Sequence, residues 1–323
     1  MINRRILTLI LAILAFGLNV ITTAVAQPYP NRPVRFIVPF PAGGAADVAA
    51  RIVGEYLSHA IGQQAYIENR PGAGGVIGIE AAAKSLPDGY TVLLVSDFIA
   101  SAPHVYKMNA DPLKDLVPVV QISRQPVVMA VHPSLGINSI SELIGLARER
   151  PGLSYGTGGG ASQQHIVAEW FARLASIKLE QVPYRGGAPA INDLVGGHVK
   201  IGWLGSTPLI PHYKAGTLRL LAQSMAARSP SLPDVPTYQE AGFKELVLDQ
   251  WMGVFLPAGT PPVIVARLNT EINKALAEPA IRASFLQAAQ EPVAGTAEQF
   301  SQLFRDDFAK YARLVTELKI KAD

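Results

Sequence analysis

Twice along this chain a glycine-rich turn separates a short apolar run from a segment with helical spacing, at residues 39–47 and 156–162. The same alternation continues around each turn. In the first half, strands expected at 34–38, 64–68 and 91–95 alternate with two helical segments. One has Val48, Ile52, Val53, Tyr56 and Leu57 on a single face, and the other is expected over 76–84. In the second half, runs at 127–131, 153–155, 179–183, 199–204 and 218–223 alternate with helices expected over 139–150, 162–174 and 189–196. Ser139 is placed to cap the first of these. A proline-rich stretch at 229–236, a strand at 251–256 and two amphipathic helices at 262–277 and 297–318 close the chain. Alternation of this kind predicts an α/β protein built as two units of parallel strands covered by helices. The 323 residues, 49% of them hydrophobic, are enough for two such cores.

Residues 1–26 read as a secretory signal. Arg4 and Arg5 form its positive end, 6–20 its apolar stretch, and Ala24-Val25-Ala26 the cleavage site, with cutting after Ala26. Thr8, Gly17 and Asn19 interrupt the apolar run, which is shorter than the roughly 20 residues a membrane span needs. The expected compartment is the periplasm. Losing this segment removes two arginines and no acid, so the formal charge falls from +3 to +1. That leaves no basic field for nucleic acid or an anionic membrane. The chain has no cysteine, which excludes a lipid-anchored cysteine, thiol catalysis and thiolate metal sites.

At both turns small residues let the backbone approach a ligand, and a helix follows at once. The unpaired N–H groups of a helix start, with the positive end of its dipole, make an anion site that needs no cationic side chain. In open α/β sheets, ligands sit beyond the carboxyl ends of the strands, where such turns lie. The reading is a small carboxylate shared by two turns. Glycine after a strand also serves as a plain tight turn. In addition, Gly156-x-Gly158-x-x-Ala161 with Glu180, 24 residues beyond Gly156, fits a dinucleotide fingerprint, against which export argues.

Longer blocks carry a family resemblance. They include Pro39-Phe40-Pro41-Ala42-Gly43-Gly44 with Asp47, Glu68-Asn69-Arg70-Pro71-Gly72-Ala73-Gly74-Gly75, and Pro87-Asp88-Gly89-Tyr90-Thr91. Val182-Pro183-Tyr184-Arg185-Gly186-Gly187, Leu232-Pro233-Asp234-Val235-Pro236-Thr237 and Pro257-Ala258-Gly259-Thr260-Pro261 extend the match through the chain. In these blocks the chain resembles the Bug family, the solute receptors of tripartite tricarboxylate transporters.

The resemblance implies a two-lobed periplasmic-binding-protein fold of type II, each lobe a mixed, mostly parallel sheet flanked by helices. It sets the first lobe at 27–125, the second at 126–248, and completes the first with 249–323. It also implies a receptor rather than an enzyme, without catalytic residues, metal or cofactor. The receptor would be monomeric, bind a small carboxylate and deliver it to membrane permease subunits. The site carried over comprises Ala42, Gly43, Gly44, Ala45, Ala46 and Asp47 at the first turn. Thr157, Gly158, Gly159, Gly160, Ala161 and Ser162 form the second, followed by Gln164 and His165. Asp47 is expected to brace its helix start with its carboxylate turned away from the anion. A valine at Gly158 is expected to block the ligand's approach without unfolding the chain.

The sequence departs from the family pattern at Ala46, at Gly160-Ala161, at Ser96-Asp97-Phe98 and at Trp203. Ser96, Asp97, Phe98 and Trp203 are therefore assigned to the site. They point to a ligand with a hydrophobic or aromatic distal end, bearing a hydroxyl or amine, rather than a simple tricarboxylate. Core packing is the alternative for Phe98 and Trp203.

No other chemistry stands out. The six histidines show no metal-ligand spacing, no nucleophile elbow occurs, and Asp306-Asp307 reads as a solvated helix face. A secreted hydrolase or lyase would need an activated nucleophile. A sensor subunit would use the same ligand-driven closure as a transport receptor.

Overall fold

The structure, a computed structural model, describes residues 29–321; the expected export segment and its cleavage site lie outside the described residues. The first half runs β1 (Val34–Val38), α1 (Ala45–Ala60), β2 (Ala65–Asn69), α2 (Val76–Ala83) and β3 (Thr91–Ser96). Two short helices, α3 (Phe98–Ser101) and α4 (Pro112–Asp115), lead into the 16-residue strand β4 (Leu116–Val131). The second half comprises α5 (Ile140–Glu149), β5 (Leu153–Thr157), α6 (Gln163–Ala175), β6 (Leu179–Pro183), α7 (Gly187–Val195), β7 (Ile201–Gly205), α8 (Ser206–Lys214) and β8 (Arg219–Gln223). The chain then returns through β9 (Asp249–Pro257), α9 (Pro262–Ala277), α10 (Pro279–Gln287), β10 (Glu291–Pro292) and α11 (Ala297–Leu318).

One strand organises the sheet. Up to Pro126, β4 pairs antiparallel with β9, and from Val127 onward it pairs with β7 and β8. The first half therefore has the order β2-β1-β3-β9-β4, and the second repeats it as β6-β5-β7-β4-β8. The parallel trios expected from the alternation are present, with β1 between β2 and β3 and β5 between β6 and β7. The antiparallel share comes from β4 and β9, which cross between the halves.

Burial explains the helices. On α1, Ala46, Ala49, Ala50, Val53 and Leu57 form a buried stripe against the first sheet half. Thr296 and Gln299 form a reciprocal cap at the start of α11, whose Phe300, Phe304, Tyr311, Leu314 and Val315 face the core. Each fully buried phenylalanine there contributes about 1.5–3 kcal/mol. Asp307 on this helix is not on a solvated face, as its carboxylate accepts the Trp251 indole N–H at 2.7 Å; Asp306 is exposed. The hydrophobic core containing α11 is continuous with residues of both sheet halves, among them Ile37, Val127 and Trp203.

Candidate ligand cavity

The carboxyl ends of β1, β3, β5 and β7 point toward one partly open space of about 60 Å³, room for about four to six waters. The first turn reaches it through Gly44, Ala45 and Ala46. Helix α1 begins there without a side-chain cap, so its leading amides have no partner inside the helix. Behind them stands Asp47, only 3% exposed. Its carboxylate accepts the Gly43 amide (2.9 Å), two bonds from Arg51 (3.0 and 2.9 Å) and one from Asn69 (2.9 Å). Burial works to raise the Asp47 pKa, but the Arg51, Gly43 and Asn69 hydrogen bonds outweigh it and hold the group below the ordinary range. Asp47 thus braces the turn and stays charged without touching the cavity. Ala42 and Gly43 are exposed on its outer side.

The second turn lines the space with Gly158, Gly160, Ser162 and Gln164, yet it has spent many of its donors. The Gly158 amide donates to Gln164 Oε1 at 2.7 Å, and the Gly159 amide donates to the Thr157 hydroxyl. Ser162 caps α6 by accepting the His165 amide. Thr157, Gly159 and Ala161 are fully buried or sit behind the wall, where Gln181 also donates to the Thr157 hydroxyl at 2.7 Å. The expectation that this turn offers its glycine amides is corrected accordingly: its available donor is the Gln164 amino group, whose oxygen is already occupied. Nor is Gly158 tolerant of a side chain. A Cβ there would lie 2.7 Å from Gln164 Oε1 and 3.3 Å from the backbone of Gly186 and Gly187, so valine would disrupt the wall itself.

Two further helix starts, not assigned from the sequence, complete the enclosure. Gly186 and Gly187 open α7, and Gly205 with Pro208 opens α8, both helices lacking a side-chain cap. At Gly186, with φ +114°, a Cβ would come within 2.9 Å of Pro41 Cδ, so glycine lets the loop before α7 close onto the first turn. Only the first had a visible signal, since Gly186-Gly187 is a further glycine pair before a helix.

Gln125 and Gln250 had no sequence signal, because they are brought face to face only by the pairing of β4 and β9. Gln125 Oε1 accepts the Thr207 amide at 3.1 Å and the Thr207 hydroxyl at 2.8 Å, which fixes the orientation of its carboxamide. Its amino group then donates to Gln250 Oε1 at 2.7 Å. The Gln250 amino group is left with no protein acceptor among the described residues, in a side chain 6% exposed on the cavity wall. Gln163 also lines the cavity, donating to the Asp249 carbonyl and to the Tyr311 hydroxyl.

Three assigned residues lie elsewhere. Asp97 follows the last residue of β3 and turns opposite to its neighbours, so Ser96 and Phe98 line the cavity and Asp97 does not. It is completely buried and accepts a hydrogen bond from the Tyr311 hydroxyl of α11, while its Oδ1 has no partner. Burial holds this carboxyl well above the ordinary aspartate value, against the Tyr311 hydrogen bond. Trp203 is a core residue, 0% exposed, donating to Tyr238 and packed on Tyr155 and Phe171. His165 belongs to the far side of α6, beside Glu169, Gln181 and the end of the chain. Burial lowers its pKa to about 4, so it is neutral at physiological pH.

Taken together, the cavity wall contains no charged side chain among the described residues. It presents uncapped helix starts, two carboxamide amino groups and the Ser96 hydroxyl, beside the rings of Phe40 and Phe98. Such a wall stabilises an anion with neutral donors.

Comparison with known proteins places the chain in a family of receptors. A family model described as "Tripartite tricarboxylate transporter family receptor" matches residues 49–320. Protein BugT of Bordetella pertussis (strain Tohama I) is 37% identical over 324 residues, covering 98% of this chain and 99% of its own. The solved structure of R. palustris Rpa4515 with adipate superimposes with a TM-score of 0.88 at 33% identity, over 91% of this chain and 99% of that one. MatC from Rhodopseudomonas palustris with bound malate gives 0.84 at 27% identity, over 89% and 100%.

Proposed function

Because this chain belongs to the tripartite tricarboxylate transporter receptor family, a family of solute-binding receptors rather than enzymes, we propose that it captures a small carboxylate in the cavity described above. The carrying observation is a wall of neutral donors at converging helix starts, with no charge inside it. Relatives solved with adipate and with malate support a carboxylate ligand. In this reading the ligand carboxylate meets the α1 amides and the Gln250 amino group of one lobe and the Gln164 amino group of the other.

The lobes of the receptor are 27–125 with 249–323, and 126–248. The change of β4 partners between Pro126 and Val127 supports that division. Closure of one lobe on the other assembles the donor set, so the ligand favours the closed form by its differential contacts. The protein acts as a periplasmic monomer, is exported by residues 1–26, and hands its solute to membrane permease subunits. N-terminal sequencing of the exported protein should begin at Gln27; retention of residues 1–26 would contradict the export scheme.

The test of binding is isothermal titration calorimetry with a panel of small carboxylates and their neutral amides. At least one acid should bind while its amide does not. Equal binding of acid and amide would remove the anion from the reading.

A further inference from the structure

A line of five polar side chains starts behind the cavity wall and ends inside the cavity. The Ser123 hydroxyl donates to Gln290 Oε1 at 2.6 Å, and the Gln290 amino group donates to the Thr207 hydroxyl at 3.1 Å. The Thr207 hydroxyl donates to Gln125 Oε1 at 2.8 Å, and the Gln125 amino group donates to Gln250 Oε1 at 2.7 Å. Of these residues only Gln125 and Gln250 border the cavity. Ser123, Gln290 and Gln125 are 0% exposed, so bulk water does not compete for their bonds.

Every donor in the line points toward the ligand. Two backbone groups fix that direction from outside it. The Gln290 amino group also meets the Ala45 carbonyl at 3.0 Å, a group that can only accept. The Thr207 amide, which can only donate, meets Gln125 Oε1 at 3.1 Å. Turning either carboxamide over would set donor against donor or acceptor against acceptor. Burial demands a partner for each of these groups but not a shared direction. A shared direction lets each bond polarise the next and strengthens the last donor. The line also changes lobes. Thr207, the second residue of α8, belongs to 126–248, and the other members belong to 27–125 and 249–323. Beside it the Ser206 hydroxyl donates to the Ala289 carbonyl at 2.7 Å, and Ala289, just before Gln290, holds φ at +54°, uncommon for a residue other than glycine.

We propose that Thr207 is a positioning residue for carboxylate capture: docking of its lobe sets the direction of the line, so that Gln250 shows the ligand an amino group rather than an oxygen. This deepens the binding function proposed above and rests on it. With the lobes apart, Gln125 loses the Thr207 amide and hydroxyl that orient it. Neither Gln125 nor Gln250 then has a preferred face. Closure therefore makes the donor set selective for an anion, through a residue that does not border the cavity.

Calorimetry tests this with aliphatic carboxylates of graded chain length and their primary amides, the acid that binds the native protein tightest serving as probe. Thr207→Val should weaken that acid about fivefold, the equivalent of one net hydrogen bond. Thr207→Ser, which keeps the hydroxyl, should restore the affinity. In a Gln250→Ala background Thr207→Val should add almost no loss, because the group it positions is gone. The same loss in both backgrounds would mark Thr207 as merely structural and overturn the proposal, as would a Thr207→Ser variant no better than Thr207→Val. Gln125→Glu gives the sharpest contrast. Its carboxylate still accepts from Thr207 but cannot donate, so Gln250 must turn its amino group to it and face the cavity with its oxygen. The amide of the probe should then bind more tightly than it does to the native protein, a gain that repulsion of the acid alone cannot produce. No such gain, in a variant that circular dichroism shows to be folded, would overturn the proposal while leaving carboxylate capture standing. Failure of every acid to bind the native protein would overturn both.

Discussion

At the residue scale, two side chains separate what the cavity does from what supports it. Gln250 holds its amino group toward the ligand only because Gln125 occupies its oxygen. Gln250→Ala should therefore weaken carboxylate binding about tenfold, and Gln250→Glu should abolish it by placing an acid against the ligand, both read by calorimetry. Unchanged affinity in Gln250→Glu would remove this residue from the site. Asp97 behaves differently. Its folded pKa lies above the ordinary 3.8, so the native state holds the proton more tightly than the unfolded chain. Its contribution is greatest below pH 3.8 and declines as pH rises through the folded value. Asp97→Asn should thus gain in Tm over the native protein as pH is raised from about 4 to 7. A constant difference across that range would contradict the assignment. The sequence assigned Asp97 to the site from its place between Ser96 and Phe98 but could not show which way it faces. The turn after β3 sends Ser96 and Phe98 inward and Asp97 toward α11, a helix more than 200 residues further along. Trp203 misled for a related reason: β7 is buried throughout its length, so a position that reads as cleft is core.

At the element scale, α1 carries the most direct consequence. Its N-cap Gly44 has φ −79°, which any residue adopts, and a Cβ there would meet nothing closer than Pro41 O at 3.7 Å. Aspartate at this position can cap the helix, worth a few tenths of a kcal/mol over glycine, and it also occupies the dipole. Gly44→Asp should leave Tm equal or slightly higher while carboxylate binding is lost; normal binding in this variant would show that the α1 start does not hold the ligand. Helices such as α1, α6 and α11 were legible because their apolar stripes and caps are local features. Strand β4 was legible only over 127–131. Its first part carries Pro118 and Pro126, residues that argue against a strand, and Pro118 sits at a register irregularity against β9. Helix α8 was hidden by Pro208 and Pro211 in the same way, since the ring at Pro211 falls inside the helix. These elements are fixed by long-range pairing and packing, which no window of local sequence reports.

At the scale of the whole molecule, the two halves are joined across the cavity as well as through β4 and β9. The Ser101 hydroxyl donates to the Ala161 carbonyl at 2.7 Å, and the Tyr106 hydroxyl donates to Gly160 at 3.2 Å. Gln290 adds a third link, donating to the Ala45 carbonyl and the Thr207 hydroxyl, the first residue of α1 and the second of α8. If closure assembles the site, Ser101→Ala should lower affinity about fivefold, the equivalent of one net hydrogen bond. The loss should lie in faster release, measurable by stopped-flow fluorescence; unchanged release would separate this contact from closure. All of these expectations depend on a carboxylate held by neutral donors from both halves. The most direct measurement is a high-resolution crystal structure of the protein with a bound carboxylate. Its oxygens should lie within hydrogen-bonding distance of the α1 amides and the Gln250 amino group on one side and of the Gln164 amino group of the other lobe. A carboxylate lodged outside the cavity would contradict it.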